Sequence, residues 1–379
     1  MRIVFCIYDW VGPKLPLQPW LTIVKVAERL AQRGHAVHVL TDAADPVRME
    51  GVEAQNIGSL RGSNAARIES VLAGLRPDAL VMLPTPLNIA TTSWLSSRSG
   101  CRRVGFASYP FYTWRELARA AWRLPWCDVR QYLRHLLIPA PMWRLALRRK
   151  LDAMVAQSES TAVRLMAVTG GTLPCHWIPP GIDLREWPLV QQSADAVRRD
   201  ELTLLYLGAA TAIRGFEVAL DAMTRVGDSS VRLQVLARGA DRESLERIRA
   251  AVARHGLGDR VDVEGGWIEP VRLAQAIQDA DAVLQPFVLV PSELPVTAME
   301  VIACGTPVIG SAIDGLPSTI GPAGTVVAQG DAAALAKAIV DFAQSAQVRE
   351  AWRSGCLRQR EAMLDWDVVT DRWEAVLRG

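Results

Sequence analysis

Residues 286–319 read PFVLVPSELPVTAMEVIACGTPVIGSAIDGLPST. The apolar run 282–284 just ahead predicts a strand, and Pro286, Pro291 and Pro295 keep the next segment irregular. A helix is expected over Val296–Ala303. It stops at Cys304-Gly305, because a glycine just past a helix takes the left-handed conformation without steric cost. Pro307-Val308-Ile309-Gly310 then begins another buried strand. A loop and a helix N-terminus therefore sit at the carboxyl end of one strand, flanked by the carboxylates of Glu293 and Glu300. Backbone N–H groups at such a place suit phosphate, and carboxylates beside them suit sugar hydroxyls.

The same alternation extends in both directions. Upstream, the strand Leu202–Leu207 ends at Gly208, and Ile213-Arg214-Gly215 opens a helix over 216–226. A strand over 232–237 ends at Arg238-Gly239, and a helix over 242–255 stops at Gly256. A strand over 261–264 ends at Gly265-Gly266, and a helix over 271–280 leads into the central stretch. Four strand ends thus carry glycine or turn residues on one edge of a sheet, the edge where doubly wound folds bind ligands. The first half repeats the pattern. Strands are expected over 3–8, 36–40, 78–83 and 103–107, with helices over Trp20–Gln32 and 64–74 and a further one before 103. Such an order implies α/β domains, each a parallel sheet covered on both faces. Downstream, 332–343 and 348–377 read as helical, with Trp366 and Trp373 on one apolar face. Residues 184–200 are polar and form the expected linker.

A chain of 379 residues has room for two domains with two cores, and half of its residues are hydrophobic. The net charge of +2 points to no nucleic-acid partner. The 6 cysteines show no C-x-x-C spacing, so they read as small apolar side chains in a reducing cytosol, neither a disulfide framework nor a zinc site. The opening Met1-Arg-Ile-Val-Phe-Cys-Ile is a strand too short for a signal peptide, and no run reaches the roughly 18 apolar residues of a spanning helix. A cytoplasmic protein is expected.

The block Glu300-Val-Ile-Ala-Cys-Gly-Thr-Pro-Val-Ile resembles the E-A-x-A-C-G-T-P-V block of retaining glycosyltransferases with the GT-B fold, most closely glycosyltransferase family 4. The run RLAQRGHAVHVLTD over 29–42 resembles the first helix–strand junction of that family, where His35 and His38 read as structural. Trp177-Ile-Pro-Pro-Gly-Ile-Asp183 resembles its I-P-N-G-V-D block, with Pro180 in place of the asparagine. The resemblance implies two Rossmann-like domains facing across a cleft: 1–184 for the acceptor and 185–360 for a nucleotide sugar. A terminal helix, 361–379, would cross back to the first domain. It also implies transfer of a hexose from a UDP- or GDP-linked donor, with retention, without a metal or other cofactor.

Several implied site positions depart from the family pattern. The family places Arg after the glycine that ends its first strand of the second domain, and Lys before the next glycine. Here Gly208 is followed by Ala209, and Arg214 precedes Gly215. Arg214 is then the expected diphosphate clamp, because its planar fork bonds two phosphate oxygens at once. The family spaces its two glutamates with seven residues between them, which places the first at Ser292; this chain has Glu293. Either a one-residue shift lets Glu293 face the sugar, or that role is lost. Glu300 would accept from the ribose hydroxyls, and the loop Ser292, Leu294, Pro295, Val296 and Thr297 would lie near the diphosphate. Gly239 matches the second glycine of a G-x-G turn that also holds Arg238, and Trp267 and Ile268 match positions whose backbone meets the base. On the acceptor side, Asp9 and Gly12 occupy a family loop, and Tyr109 lies where members often carry a histidine. No general base is assigned, since a front-face retaining mechanism lets the leaving phosphate take the acceptor proton.

Residues 109–150 break the alternation. Arg115, Arg119 and Arg123 fall four apart, and Trp114 and Trp122 lie on an adjoining stripe. Two readings stand: a helix on an anionic membrane surface, or a solvated basic face packed by its aromatics onto the sheet. The first implies a lipid-linked or glycan acceptor at the inner face of a bacterial membrane, in surface polysaccharide or glycoconjugate assembly. A sugar-nucleotide epimerase of the same fold and a non-catalytic partner protein are the alternative readings.

Overall fold

The computed structural model describes residues 1–60, 64–84, 89, 92, 100–107, 110–133, 139–189, 201–227, 230–290 and 292–379. The chain divides into two compact units: one of 1–113, 130–181 and 364–379, the other of 114–129 and 182–363.

The strands of the first unit are β1 (Arg2–Cys6), β2 (Ala36–Thr41), β3 (Val52–Asn56), β4 (Ala79–Met82), β5 (Arg102–Phe106), β6 (Ala153–Ala156) and β7 (Cys175–Trp177). All pair in parallel, in the order β3-β2-β1-β4-β5-β6-β7. Between them lie α1 (Trp20–Gln32), α2 (Ala65–Leu75), α3 (Trp114–Ala121), α4 (Trp126–Leu133), α5 (Ala140–Lys150) and α6 (Glu159–Thr169), of which α3 falls in the second unit. Alternate residues of β1 serve opposite faces, as the two-residue period of a strand requires. Ile3, Phe5 and Ile7 pack with Ile23 and Leu30 of α1, while Val4 and Cys6 pack with Ile68 of α2 and Leu147 of α5. Strands buried on both faces, here β1, β4 and β6, read as unbroken apolar runs.

The second unit repeats the plan with β8 (Leu202–Leu207), β9 (Val231–Arg238), β10 (Val261–Gly266), β11 (Ala282–Gln285), β12 (Val308–Ser311) and β13 (Gly324–Val327), in the order β10-β9-β8-β11-β12-β13. Its helices are α7 (Phe216–Arg225), α8 (Arg242–Arg254), α9 (Pro270–Asp279), α10 (Val296–Ala303), α11 (Leu316–Ile320), α12 (Ala332–Gln344) and α13 (Ala346–Glu361). The last helix, α14 (Trp366–Arg378), belongs to the first unit. Both sheets therefore carry the 3-2-1-4-5-6 order of doubly wound folds, with strand order reversing beside β1 in one and beside β8 in the other. The fold is two Rossmann-like parallel-sheet units.

The structure differs from the sequence reading at definite points. The helical span 348–377 is two helices, because Asp365 turns the chain and caps α14, accepting from the Val368 N–H at 2.8 Å. Strands β3, β7 and β13 were not expected: β3 is a polar edge strand, β7 has three residues and β13 is half-buried throughout. Strand β10 runs through Gly265 and Gly266 where it was expected to end at 264. The helix expected before 103 falls outside the described residues. The first unit gives way to the second after Gly181 and resumes at Leu364, and residues 114–129 group with the second unit although they lie inside the expected 1–184 domain. Cys6, Cys304 and Cys356 are buried, Cys101 and Cys175 half-buried and Cys127 exposed. Among the described residues no helix is long and apolar enough to cross a membrane.

Helix α14 is held by both packing and charge. Trp373 is buried edge-on to Phe106, with centroids 5.1 Å apart, and Arg102 donates to the Val376 carbonyl at 2.6 Å. Glu374 bonds Arg378, Arg33 and His35, and His35 also meets the chain's N-terminal ammonium at 3.1 Å. These bonds, led by the one from Arg378 and opposed by burial, bring the Glu374 carboxyl down to about 2. A carboxyl depressed on folding adds stability above its ordinary pKa and gives it up as pH falls toward the folded value. Glu374→Gln should therefore cost about 1–3 kcal/mol near pH 7, and the gap between the melting curves of variant and wild type should close between about pH 5 and pH 2.

Candidate active site

In the second unit the strand order reverses between β8 and β11, so the loops leaving those two strands diverge and open a crevice at their carboxyl ends. Gly208 ends β8 and Pro286 follows β11. The turn Ile213-Arg214-Gly215 bridges them: the Ile213 carbonyl accepts from the N–H groups of Val288 and Leu289 at 2.9 and 3.1 Å. Gly215 sits at φ 72°, and a Cβ there would lie 1.8 Å from the Pro286 carbonyl oxygen, so glycine is required on both counts. Tyr206, fully buried on β8, ties the turn from beneath through its hydroxyl to the carbonyls of Ala209 (3.2 Å) and Arg214 (3.3 Å). Burial pushes that phenol well above its usual range, so it stays a neutral donor.

This clamp fixes where Arg214 goes. Its guanidinium lies over the Phe287 ring, 5.9 Å from the centroid, and against Gly208, where a Cβ would come within 2.6 Å of its Nη1. Among the described residues no carboxylate pairs with Arg214 and no acceptor is hydrogen-bonded to its guanidinium. Burial lowers its pKa most; Tyr206 opposes that and the charge of Arg238 adds to it. An arginine does not give up its proton under these conditions, so a desolvated cation stands in the crevice.

Helix α10 follows β11 after the loop that ends at Pro295. Pro295 is its N-cap and no side chain caps it, leaving the first N–H groups, those of Val296 and Thr297, without a side-chain acceptor. Its far end is secured: Arg360 donates to the carbonyls of Ala303, Trp187 (2.7 Å) and Leu184 (3.2 Å), a cation where the helix dipole favours one. Leu294, Met299 and Ala303 pack with Ile182 beneath. Glu300, one turn in, is half-buried. Burial pushes its carboxyl up to about 7, the charge of Arg238 works against that, and the carboxylate of Glu186 reinforces it.

The remaining candidates fall into place unevenly. Arg238 is exposed at the end of β9 and Gly239 follows at φ 72°, its N–H bonded to the Gly266 carbonyl at 2.8 Å. Trp267 is 82% exposed, its indole N–H donating to Glu269, whereas the Ile268 side chain is buried. Ser292 is half-buried, its hydroxyl donating to the Leu294 carbonyl at 3.4 Å, while Glu293 is completely buried. In this conformation it is Ser292, not Glu293, that meets solvent in the loop. In the first unit, Asp9 is exposed at φ 55° with its N–H bonded to Asp42, and Gly12 has open space around it. Trp10, fully buried, anchors that loop through its indole N–H to the Val47 carbonyl. Tyr109 lies outside the described residues.

The basic stripe is corrected in one member. Helix α3 ends at Ala121, so Arg123 lies in the turn beyond it, ion-paired to Asp221 at 3.0 Å. Arg115 and Arg119 are exposed, as are Trp114 (58%), Trp122 (91%) and Trp126 (65%). These three tryptophans do not pack onto a sheet; Trp143, from the same segment, does enter the core.

Two residues escaped the sequence reading. Tyr206, next to last in β8, and Gln285, last in β11, each put a polar atom into an otherwise apolar strand, and that was their signal. Gln285 is 2% exposed beside Pro286, with neither amide atom hydrogen-bonded among the described residues.

Comparison with known proteins matches both halves of the chain. Residues 201–345 match a family model described as Glycosyl transferases group 1, and residues 21–186 one described as Glycosyltransferase Family 4. The D-inositol 3-phosphate glycosyltransferase of Xylanimonas cellulosilytica is 32% identical over 202 residues, 48% of this chain and 47% of that one, so the match spans about half of the relative's length. Among solved structures, sucrose-phosphate synthase from Thermosynechococcus elongatus superposes with a TM-score of 0.75 at 20% identity, covering 100% of this chain and 98% of the other. Anabaena Alr3699/HepE, in complex with UDP, gives 0.74 at 14% identity, over 100% and 99%.

A carboxyl raised on folding takes stability away as pH climbs from its ordinary pKa to the folded one. For Glu300 that window runs from about 4.5 to about 7. The melting temperature of the ligand-free protein should carry a downward component across it, and Glu300→Gln should remove that component while leaving the curve below pH 4.5 unchanged.

Proposed function

From a chain that belongs to the GT-B glycosyltransferases, group 1 and family 4, we propose an enzyme that moves a hexose from a UDP- or GDP-linked donor to a lipid-linked or glycan acceptor with retention. The observation that carries the reading is Arg214: a half-buried guanidinium with no carboxylate partner among the described residues, lying against Gly208 and Phe287 at the strand ends where the strand order reverses. A diphosphate fits it by charge, and the fork of the guanidinium spans two of its oxygens. The uncapped start of α10 adds N–H groups of the same preference. Glu300, further along that helix, accepts from the ribose hydroxyls once ionised.

In this scheme the bond between the anomeric carbon and the diphosphate oxygen lengthens first. Charge accumulates on the leaving phosphate, where Arg214 and α10 hold it, so these groups bind the transition state more tightly than the ground state. The acceptor hydroxyl adds on the same face, and its proton passes to the departing phosphate oxygen. Neutralisation of the leaving group is assigned to protein charges, not to a metal. Glu293 reaches the sugar only after the 292–295 loop moves. On the acceptor side the assignment is to Asp9 and Gly12 of the first unit.

The surface of α3 and α4 supports work at an anionic membrane. Exposed tryptophans favour the interface between lipid and water, and arginines favour its charge. At about 1 kcal/mol per basic residue near such a surface, Arg115 and Arg119 alone hold weakly, so Trp114, Trp122 and Trp126 supply the rest.

Isothermal titration with UDP, GDP, ADP and dTDP tests the site. One of them should bind wild type, and Arg214→Ala should weaken it about ten- to hundredfold, the loss of a charge-assisted hydrogen-bond pair. A protein that binds none of them is a non-catalytic partner, and one that converts a nucleotide sugar alone into its epimer is an epimerase. Sedimentation with phosphatidylglycerol vesicles tests the surface. Arg115→Ala and Arg119→Ala should each reduce partitioning about fivefold, and loss of all three exposed tryptophans should abolish it. Unchanged partitioning would remove the membrane from the proposal.

A further inference from the structure

The position after Gly208 holds Ala209, which leaves one side of the crevice without a cation. Strand β9 runs beside β8 with Leu236 level with Leu207, and the Gly208 N–H donates to the Leu236 carbonyl at 3.0 Å. Two residues further along β9, Arg238 leaves the sheet next to Ala209. Both residues line one cavity of about 550 Å³ between α7 and α8. The small side chain of one therefore opens the space that the long side chain of the other reaches.

The charges around this cavity are otherwise accounted for. Arg247 is bonded to Glu243 and to Ser244, and Arg254 is paired with Glu217 at 3.3 Å. Arg238 has no ion pair and no hydrogen bond to its guanidinium among the described residues. Its charge acts on Arg214 and on Glu300. It therefore lies near enough to bias both groups that the proposed function assigns to the donor, while neither neutralises it.

We propose that Arg238 is the second cation of the diphosphate clamp, delivering from the end of β9 the charge that Ala209 does not deliver from the end of β8. The assignment rests on the donor reading of the crevice. Two cations approaching from neighbouring strands hold both phosphates of a nucleoside diphosphate. They also oppose the repulsion that Glu300, once ionised, exerts on that ligand. Arg238 is exposed, so its replacement spares the core, and Ala209 lines open space, so an arginine fits there.

The test is isothermal titration of the full-length protein with UDP, GDP, ADP and dTDP, and with the nucleoside of whichever binds best, with melting temperature as a control for folding. Arg238→Gln should weaken the diphosphate about ten- to hundredfold, the effect of losing hydrogen bonds to a charged group, while the nucleoside changes less than about threefold. Arg238→Lys should retain most of the affinity. Adding Ala209→Arg to Arg238→Gln should restore diphosphate binding, which a merely structural role for Arg238 would not produce. If wild type binds a diphosphate and Arg238→Gln binds it equally well, or loses nucleoside and diphosphate alike, the assignment of Arg238 falls and the donor site stands. If wild type binds none of the four, both fall together.

Discussion

A half-buried guanidinium with no carboxylate partner among the described residues is the constraint on which the second unit turns. Desolvating a cation without a partner is costly, and such a group persists only where the surrounding structure overdetermines its position. Here the determinants are all local. Gly215 admits the Pro286 carbonyl, the Ile213 carbonyl ties down the loop after β11, and the Tyr206 hydroxyl fixes the turn from below. Each depends on β8 and β11 being neighbours, which is the point at which the strand order reverses. The parallel sheet is thus the scaffold for that cation.

Helix α10 answers the same need by another route. Its amino end is left uncapped, while at its carboxyl end the Ala303 carbonyl accepts from Arg360, which also donates to the carbonyls of Leu184 and Trp187. A helix anchored at the end that faces away from the crevice keeps its free N–H groups fixed without occupying them. Glu300, half-buried one turn into the helix, resists ionisation until pH approaches 7. The first unit spends its charged groups differently. Arg29, Arg33 and His35 near the end of α1 all pair with α14, at Asp367, Asp371 and Glu374. That network secures a helix, while the loop after β1 is held by Trp10.

What the sequence disclosed follows from what periodicity encodes. Strands such as β1, β8 and β11 are buried on both faces, and their apolar runs cannot be mistaken. The Gly-bearing strand ends and the helix stop at Gly305 were equally plain, since only glycine serves there. Edge strand β3 was hidden because its alternation of Val52 and Ala54 with polar residues is shared by many exposed loops. Arg123 was misplaced on a helical stripe because spacing of four continues past the point where the helix ends, and only the ion pair with Asp221 reveals the turn. The burial of Glu293 was beyond any pattern in the chain, being set by how an irregular, proline-broken loop folds over its own helix. The polar atoms of Tyr206 and Gln285 stood out within apolar strands, but what they do is set by neighbours from elsewhere in the unit.

The most direct measurement is a crystal structure of the protein soaked with the nucleoside diphosphate that binds it best. The account predicts phosphate oxygens about 2.7–2.9 Å from the Arg214 guanidinium nitrogens, the range of charge-assisted hydrogen bonds, with the ribose within reach of Glu300. Density for the nucleotide elsewhere, or Arg214 turned away from it and paired with a carboxylate, would contradict the account.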